Sequence, residues 1–293
     1  MKVSIIIVNY NTKELTKQCL QSVFEKTQDI DFEVIVVDNA SHDGSQKMLK
    51  EEFTNVRLVE NPENIGFGRA NNEGIKIAKG QNVFLLNPDT ILINNAVKTL
   101  SDYLDKNKNV AICGGNLFDE EMKPAHSFSN HFISIFYEID LFTLNGLSKI
   151  IYGKNRNFNH TKKNLEVACI VGADLMIKKT VFDQVGGFDP DFFMYHEEQE
   201  LCLRVKKNGY KIVSVPESNI IHLEGKSFTC NLNRLKRQLE ARNLFYKKTH
   251  SSFYKYIADS IFYLTAITRL FVFKLSNNQN KINIWSFMLK NIK

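Results

Sequence analysis

Short apolar runs alternate with helix-like stretches over the first hundred residues, and this alternation limits the choice of fold more than any other feature. The predicted strands occupy residues 3–8, 32–37, 56–59 and 83–86. Strands and helices that alternate through short connections are typical of a parallel sheet with right-handed crossovers. The carboxyl ends of parallel strands meet at one edge of the sheet, so the loops after Val8, Val37 and Leu86 should open there together.

The composition is that of a folded protein with a substantial core. Of its 293 residues, 43% are apolar and 24% are charged, which suggests one large domain or one domain with an appendage. The five cysteines show no metal-ligand spacing, so we expect reduced thiols in a cytosolic protein. The first apolar run is too short for a signal peptide and gives way at once to Asn9.

Polar side chains that suit a nucleotide follow three of the predicted strands. Asn9 and Asn11 follow the first strand, Asp38 and Asn39 the second, and Asp89 the fourth. Asp38 could accept a hydrogen bond from a base N–H or from ribose hydroxyls. Asn9 and Asn11 suit turn formation equally well, because asparagine side chains bond to nearby backbone.

Asp89 ends a continuous apolar run at residues 83–86, from which it is separated by the turn-forming pair Asn87-Pro88. Such a run is typical of a strand that is covered on both faces, and a carboxylate just beyond it can reach a substrate. The alternative is that Asp89 caps a helix that begins near Asn94 or Asn95.

The pair Gly66-x-Gly68 opens the next predicted helix. Backbone N–H groups at a helix start, together with Arg69, could bind an anionic diphosphate. The residue three after Gly68 is Asn71, so the dinucleotide-binding fingerprint is absent. A loop that only starts a helix is the alternative.

The stretch 116–164 is less regular and rich in Phe, Tyr, His and Asn. Its aromatic residues would pack in the core, form a lid over an acceptor site, or face a membrane. The sequence leaves these three roles open.

A group of glutamates begins another predicted helix, and a lone histidine follows a later apolar pair. The negative charges of Glu197, Glu198 and Glu200 would stabilise the helix start through the helix dipole. Glu198 also suits a general base, because neighbouring carboxylates and aromatic rings can raise its pKa. His222 is either a packed core histidine or, with Asp89, part of a divalent-cation site that holds a diphosphate.

Taken in order, these motifs resemble those of the family 2 glycosyltransferases with the GT-A fold, and in particular the bacterial rhamnosyltransferase-like branch. The resemblance covers residues 1–228. It rests on the stretches at residues 3–11, 34–41, 64–67, 87–89, 187–189 and 197–204, and on His222.

The resemblance implies an α/β fold with a mixed, mostly parallel central sheet flanked by helices. Residues 1–228 would form the catalytic domain, with a nucleotide-sugar-binding half at 1–115 and an acceptor and catalytic half at 116–228. Residues 229–293 would form a helical appendage.

The resemblance also implies roles for individual residues. Glu198 falls at the position of the catalytic base, and Asp89 and His222 fall at the positions that hold Mg²⁺ or Mn²⁺. Asn9 and Asp38 match positions that contact the nucleoside, and Gly68 with Asn71 lies near the phosphates. The full set of expected substrate-binding residues is Asn9, Asn11, Asp38, Asn39, Gly66, Gly68, Asn71, Asn87, Glu197 and Arg204.

Two residues depart from the family pattern. Asn87 replaces the first acid of the Asp-x-Asp motif, which leaves Asp89 more nearly alone on the metal. Glu198 stands where many relatives carry Asp, so the base could be displaced by one residue.

The reaction that this resemblance implies is an inverting sugar transfer for cell-surface polysaccharide synthesis. The donor would be a dTDP- or UDP-sugar, and the acceptor a saccharide or lipid-linked saccharide. Two alternatives are a nucleotidyltransferase, although the loop after the first strand lacks a glycine-rich, basic triphosphate motif, and an inactive nucleotide-sugar-binding protein.

The positive charge is concentrated in the tail. Residues 226–293 hold 13 of the 38 Lys and Arg residues but only 2 of the 32 Asp and Glu residues. Because aromatic residues accompany the basic ones, we expect an anionic membrane surface rather than nucleic acid, with the protein peripheral on the cytoplasmic face. Charges interrupt the apolar stretch 253–275, so an interfacial helix fits better than a spanning one. A helical cover packed on the catalytic domain is the alternative.

Overall fold

A computed structural model of the chain describes residues 1–223 and 232–292. The strands are β1 (Val3–Asn9), β2 (Phe32–Asp38), β3 (Val56–Glu60), β4 (Asn82–Leu86), β5 (Thr90–Leu92), β6 (Val110–Phe118), β7 (Phe128–Ser129), β8 (Leu165–Glu166), β9 (Cys169–Ile170), β10 (Asp174–Lys178) and β11 (Lys211–His222). The helices are α1 (Lys13–Lys26), α2 (Ser45–Glu52), α3 (Phe67–Ile77), α4 (Ala96–Lys106), α5 (Ile135–Phe142), α6 (Gly146–Tyr152), α7 (Lys179–Val185), α8 (Glu197–Lys207), α9 (Leu232–Thr249), α10 (Ser252–Leu275) and α11 (Gln279–Asn291), with a short 3-10 turn at Gly153–Arg156.

Nine of the described strands form one mixed sheet in the order β3-β2-β1-β4-β10-β6-β11-β5, with β8 also paired to β11. Strands β1, β2, β3, β4, β6 and β11 run in one direction, and β5, β8 and β10 run against them. A separate ribbon pairs β7 with β9. The mixed, mostly parallel sheet that the sequence predicted is therefore present.

The central strands are largely apolar because both faces of the sheet are covered. In β1, Ile5 and Ile7 pack in a cluster with α1 and α4, whereas Ile6 and Val8 pack in a second cluster with α3 and α8. Every residue of β1 and β4 is buried. Helices on both faces explain the continuous apolar runs, since a half-exposed strand would alternate polar and apolar residues.

The strand register brings the predicted loops to one edge. Asn9 lies opposite Asp38, and Ile7 lies opposite Leu86, so the loops after β1, β2 and β4 open together as expected. Asp89 leads directly into β5 and does not begin a helix. The capping alternative for Asp89 was wrong, because Asn95 occupies the N-cap position of α4.

The last strand is longer than the sequence predicted. A strand was expected at 211–215, but β11 continues to His222 through an irregularity between Ser214 and Asn219. It pairs with β6 in parallel and with β5 in antiparallel fashion. Because of this double pairing, the C-terminal end of β11 lies at the edge of the sheet where Asp89 is found.

The tail forms helices that pack on the stretch 116–164. Phe245 and Tyr246 of α9 are fully buried in a cluster with Ile133, Phe192 and Ala258. Helix α9 and part of α10 thus pack as a helical cover, the alternative that the sequence left open, whereas the membrane contact stays a prediction. The predicted boundary between residues 228 and 229 and the fifth cysteine, Cys230, lie outside the described residues.

A buried ionic network fixes this cover to α5. The Arg242 guanidinium donates to Glu138 Oε1 at 2.8 Å and to Asp259 Oδ1 at 2.8 Å, and the Tyr246 hydroxyl donates to the same Glu138 oxygen at 2.9 Å. Glu138 is completely buried, and burial raises its pKa, although Arg242 opposes this effect. Helices α5, α9 and α10 therefore meet at one charged group.

We predict that Arg242→Ala lowers the free energy of unfolding by about 3–5 kcal/mol, because it leaves the buried Glu138 carboxylate without its cation. Urea unfolding followed by circular dichroism measures the change. Lys236→Ala, which removes an exposed cation from the same helix, is the matched control. A loss below about 1 kcal/mol, the range of surface ion pairs, would show that the network does not hold the tail.

Candidate active site

A cavity of about 280 Å³ lies at the edge where β1, β2 and β4 end. It is open to solvent on one side, and three carboxylates, one imidazole and several aromatic and amide side chains line it. The polar and aromatic residues of its lining are Tyr10, Thr12, Asn39, Asn64, Phe67, Asn87, Asp89, Tyr195, Glu197, Glu198, His222 and Arg234.

Asp89 and His222 meet in this cavity although 133 positions separate them in the chain. The His222 Nε2 atom lies 3.3 Å from Asp89 Oδ1, and both side chains are largely buried. The β5–β11 pairing sets His222 opposite Thr90, and the Leu223 N–H donates to the Asp89 carbonyl at 2.8 Å. The two predicted metal ligands are thus held together by backbone pairing.

The pair offers one carboxylate oxygen and one imidazole nitrogen, which are ligands that Mg²⁺ or Mn²⁺ accepts. Within residues 1–223 and 232–292 there is no group of three or more His, Cys, Asp or Glu side chains arranged to hold a metal. Divalent cations in phosphate-transfer sites commonly bind one or two protein ligands and take the rest from substrate phosphates and water. The residues present therefore fit a cation that is completed by a diphosphate.

Glu197 and Glu198 enter the cavity at the start of α8. Burial raises the pKa of Glu198, and burial followed by repulsion from Glu198 raises the pKa of Glu197 well above its ordinary value. The buried Oε2 atom of Glu197 has no hydrogen-bond partner among the described residues. A carboxylate in such surroundings holds protons more tightly and becomes a stronger base once ionised.

The backbone before these glutamates is strained. Tyr195 and His196 adopt φ angles of 75° and 66°, in the left-handed region that residues other than glycine rarely occupy. The Phe193 carbonyl accepts a hydrogen bond from the Phe67 N–H at 2.9 Å, which anchors the loop to the start of α3. Strain of this kind persists only where neighbours enforce it, and it is concentrated at functional sites.

Gly66 permits this anchoring. Its φ is +89°, and a Cβ there would lie 2.3 Å from the Phe193 carbonyl oxygen. The expected diphosphate contacts at this helix start have partners within the protein: Gly66 N–H donates to Asn64 Oδ1, Phe67 N–H to Phe193, and Arg69 to the Pro190 carbonyl. Gly66 thus allows a close backbone approach, and it is absent from the cavity lining.

Gly68 and Asn71, which were expected near the phosphates, face the interior. A Cβ on Gly68 would lie 3.2 Å from Phe188 Cβ, and Asn71 is buried and donates to the Phe67 carbonyl at 3.1 Å. Neither lines the cavity. The structure gives them packing roles because α3 presses closely on the chain before α8.

Arg204 is likewise committed elsewhere. Its guanidinium binds both oxygens of Glu200 and donates to the carbonyls of Val185 and Gly187. It does not line the cavity and links α8 to the end of α7, so the expected substrate contact stays a prediction.

Asn9 and Asp38 form a buried scaffold below the cavity. Asn9 donates to Asp38 Oδ2 at 2.6 Å, and the other Asp38 oxygen accepts from the Ser41 N–H and from Gln46. Both side chains are fully buried and absent from the cavity lining, and their contacts with a nucleoside stay a prediction. They shape the loops after β1 and β2.

Asn39 and Asn11 differ in position. Asn39 lines the cavity and donates to Asn64 Oδ1 and to the Gly66 carbonyl, both at 3.2 Å. Asn11 has a φ of 55° and accepts from the His42 N–H at 2.7 Å, which is the turn role that the sequence left open. Asn87 lines the cavity next to Asp89.

Several lining residues were not predicted. Tyr10 and Asn64 lie beside residues that were chosen, and Tyr195 lies beside the glutamates, so their neighbours carried a usable signal. Arg234 belongs to α9, in the part of the tail that no motif marks. Only tertiary packing identifies it.

Comparison with known proteins places the chain among glycosyltransferases. Residues 4–186 match the family described as Glycosyl transferase family 2, and residues 154–226 match the N-terminal domain of galactosyltransferase. The low-salt glycan biosynthesis hexosyltransferase Agl10 of Haloferax volcanii is 27% identical over 89% of this chain and 80% of its own length. The dTDP-rhamnosyl transferase RfbF of Shigella flexneri is 25% identical over 98% of this chain and 92% of its own.

A solved structure shares the architecture. The mannosyltransferase PcManGT from Pyrobaculum calidifontis, in complex with GDP-Man and Mn²⁺, superposes with a TM-score of 0.61 at 16% identity, over 99% of this chain and 87% of its own. This likeness confirms the predicted GT-A fold. With the family match over more than half of its length and rhamnosyltransferases among its relatives, the chain belongs to glycosyltransferase family 2 as a rhamnosyltransferase-like glycosyltransferase of glycan biosynthesis.

Proposed function

We propose that the protein transfers a sugar from a dTDP- or UDP-sugar to a saccharide or lipid-linked saccharide, with inversion at the sugar C1 and with a divalent cation. The observation that carries this proposal is the convergence of Glu198 with the Asp89–His222 pair in one cavity. The relative named as a dTDP-rhamnosyl transferase favours dTDP as the nucleotide.

Glu198 acts as the base in this mechanism. Its carboxylate takes the proton from the acceptor hydroxyl while that oxygen attacks C1, and the bond from C1 to the nucleoside diphosphate breaks on the opposite face. A single displacement of this kind inverts the anomeric configuration. The raised pKa of Glu198 brings its basicity nearer to neutral pH, where proton abstraction is most effective.

Asp89 and His222 would hold Mg²⁺ or Mn²⁺, which supplies positive charge to the leaving diphosphate. The β5–β11 pairing keeps the carboxylate and the imidazole in place before substrate arrives. Asn87, which lacks the charge of an aspartate, leaves these two groups as the main protein ligands.

Tyr10 and Asn39 suit the nucleoside. Tyr10 is 43% exposed and presents an aromatic ring to the cavity, which a nucleobase can stack on. Asn39 supplies an amide at the same edge, and the buried Asn9–Asp38 pair holds the two loops that carry these side chains.

A panel of UDP-, dTDP- and GDP-sugars with Mn²⁺ tests the proposal directly. We expect release of dTDP or UDP that depends on an added saccharide acceptor. Formation of a nucleoside triphosphate and a sugar 1-phosphate when pyrophosphate is added would instead indicate a nucleotidyltransferase, and nucleotide binding without turnover would indicate an inactive nucleotide-sugar-binding protein.

We predict that Glu198→Gln retains donor binding but lowers kcat by roughly 100- to 10,000-fold, because the amide cannot take a proton. Steady-state transfer assays and nucleotide titration measure the two effects. Glu51→Gln, the same change on an exposed side chain of α2, is the control. A nearly normal rate in Glu198→Gln together with a large loss in Glu197→Gln would assign the base to Glu197.

The rate should also depend on pH in a defined direction. A base works only when ionised, so kcat/KM should fall as the pH drops through the raised pKa of Glu198. The acid limb of the profile should therefore lie above about 4.3, the pKa of an exposed glutamate. An acid limb at or below that value, in a protein shown by circular dichroism to remain folded, would contradict this environment for the base.

Metal dependence gives a further prediction. Transfer should stop in EDTA and return with Mn²⁺ in the parent protein, whereas Asp89→Ala should stay inactive at any Mn²⁺ concentration, because it loses the carboxylate ligand. Asp31→Ala, an exposed carboxylate, is the control. Full activity of the parent in EDTA would exclude the proposed cation.

We further propose that the tail rests on an anionic membrane surface on the cytoplasmic side. One side of α10 presents apolar side chains that recur at helical spacing, each between 41% and 74% exposed: Phe253, Tyr256, Tyr263, Leu264, Ile267, Phe271, Val272 and Leu275. Basic residues Lys274, Lys281 and Lys290 follow along the chain. Among the described residues, α10 is also the one helix that is long and apolar enough to cross a membrane. A single helix of this kind is weak support for a membrane contact.

The double variant Leu264→Ser with Phe271→Ser should lower binding to vesicles of anionic phospholipid by roughly tenfold or more, since two apolar side chains no longer enter the interface. Co-sedimentation measures the bound fraction. Met122→Ser, which removes an exposed apolar side chain outside the tail, is the control. Unchanged sedimentation of the double variant would refute the α10 contact.

A further inference from the structure

Arg234 brings a positive charge into the candidate active site from a part of the chain beyond both matched family segments, which end at residues 186 and 226. Among the described residues that line the cavity, it is the single Lys or Arg. The same lining carries the carboxylates of Asp89, Glu197 and Glu198. The tail therefore supplies the cation of an otherwise acidic site.

The position of Arg234 is set by contacts that α9 makes with other parts of the protein. Burial raises the pKa of Tyr195 and the nearby positive charge of Arg234 opposes this rise, so the two side chains lie close together. The Arg237 guanidinium, one turn later, lies 4.7 Å from the centroid of the Phe193 ring. Both aromatic residues belong to the strained loop that leads into the glutamates. Further along α9, Arg242 anchors the helix to the buried Glu138. Arg234 is thus held on a helix that is attached to the catalytic half.

A guanidinium in this position is suited to binding phosphate. Arginine presents a planar fork of donors that binds phosphate oxygens in pairs, and its weaker hydration makes its transfer into a cavity less costly than that of lysine. An acidic cavity would otherwise repel a diphosphate unless a cation were bound. We propose that Arg234 binds the diphosphate of a substrate, so that the tail completes the active site.

This inference rests on the proposed function, which supplies the diphosphate. Two substrates of that function contain one. The diphosphate at Arg234 belongs either to the nucleoside diphosphate of the donor or to the diphosphate that joins an acceptor saccharide to a lipid. The chemistry of recognition is the same for both. Soluble probes separate them: dTDP represents the donor, and farnesyl diphosphate represents the lipid-linked acceptor.

The test measures dissociation constants of the full-length protein for dTDP and for farnesyl diphosphate by calorimetry, in the parent and in Arg234→Gln and Arg234→Lys. We expect Arg234→Gln to weaken one or both by roughly 10- to 100-fold, the range for a charge-assisted hydrogen bond, and Arg234→Lys to recover part of the loss. Lys236→Gln removes an exposed charge two residues away and should match the parent. Circular dichroism confirms that each variant is folded.

Weakening of dTDP alone assigns Arg234 to the donor, weakening of farnesyl diphosphate alone assigns it to the acceptor, and weakening of both assigns it to a diphosphate site that the two substrates share. Parent-like constants for both probes in Arg234→Gln would overturn the inference. If Arg234→Gln weakens the binding of either probe but the parent protein transfers no sugar, the proposed function is contradicted and this inference stays in place.

Discussion

The pairing of β5 with β11 is the interaction on which the site depends. Three residues of each strand lie side by side, and the next N–H along, that of Leu223, bonds the carbonyl of Asp89. These backbone hydrogen bonds place a carboxylate from the first third of the chain against an imidazole from its last third. Because β11 also pairs with β6, the backbone hydrogen bonds that hold both groups continue into the middle of the sheet.

The sequence predicted those features that depend on local pattern. The strands β1, β2 and β4 were identified because burial on both faces favours continuous apolar runs, and their shared edge followed from parallel winding. The approach of His222 to Asp89 could not be derived in the same way, since a non-local antiparallel pair leaves no periodic trace. The long strand β11 was partly missed because Pro216 and its polar neighbours interrupt the apolar run.

Polar residues were harder to assign than apolar ones. Arg204, Asn71 and Asp38 stand at family-like spacing, yet each uses its hydrogen-bonding groups within the protein. A sequence states which donors and acceptors exist but not which partner each one meets. Asn39, Asn87, Glu197 and Glu198 reach the cavity because they lie at strand ends or at a helix start, where the chain turns toward solvent. Their roles in substrate binding remain predictions.

Gly66 sets a limit on how the enzyme can be redesigned. The absence of a side chain lets the loop before α8 approach the start of α3 to within hydrogen-bonding distance, so even a methyl group would move the segment that carries the glutamates. A mutant library intended to change the donor should therefore vary Tyr10 and Asn39, whose side chains reach the cavity, and leave Gly66 unaltered. Because close packing alone makes this position intolerant of change, a mutational scan that scores activity would mark Gly66 whether or not it contacts a ligand.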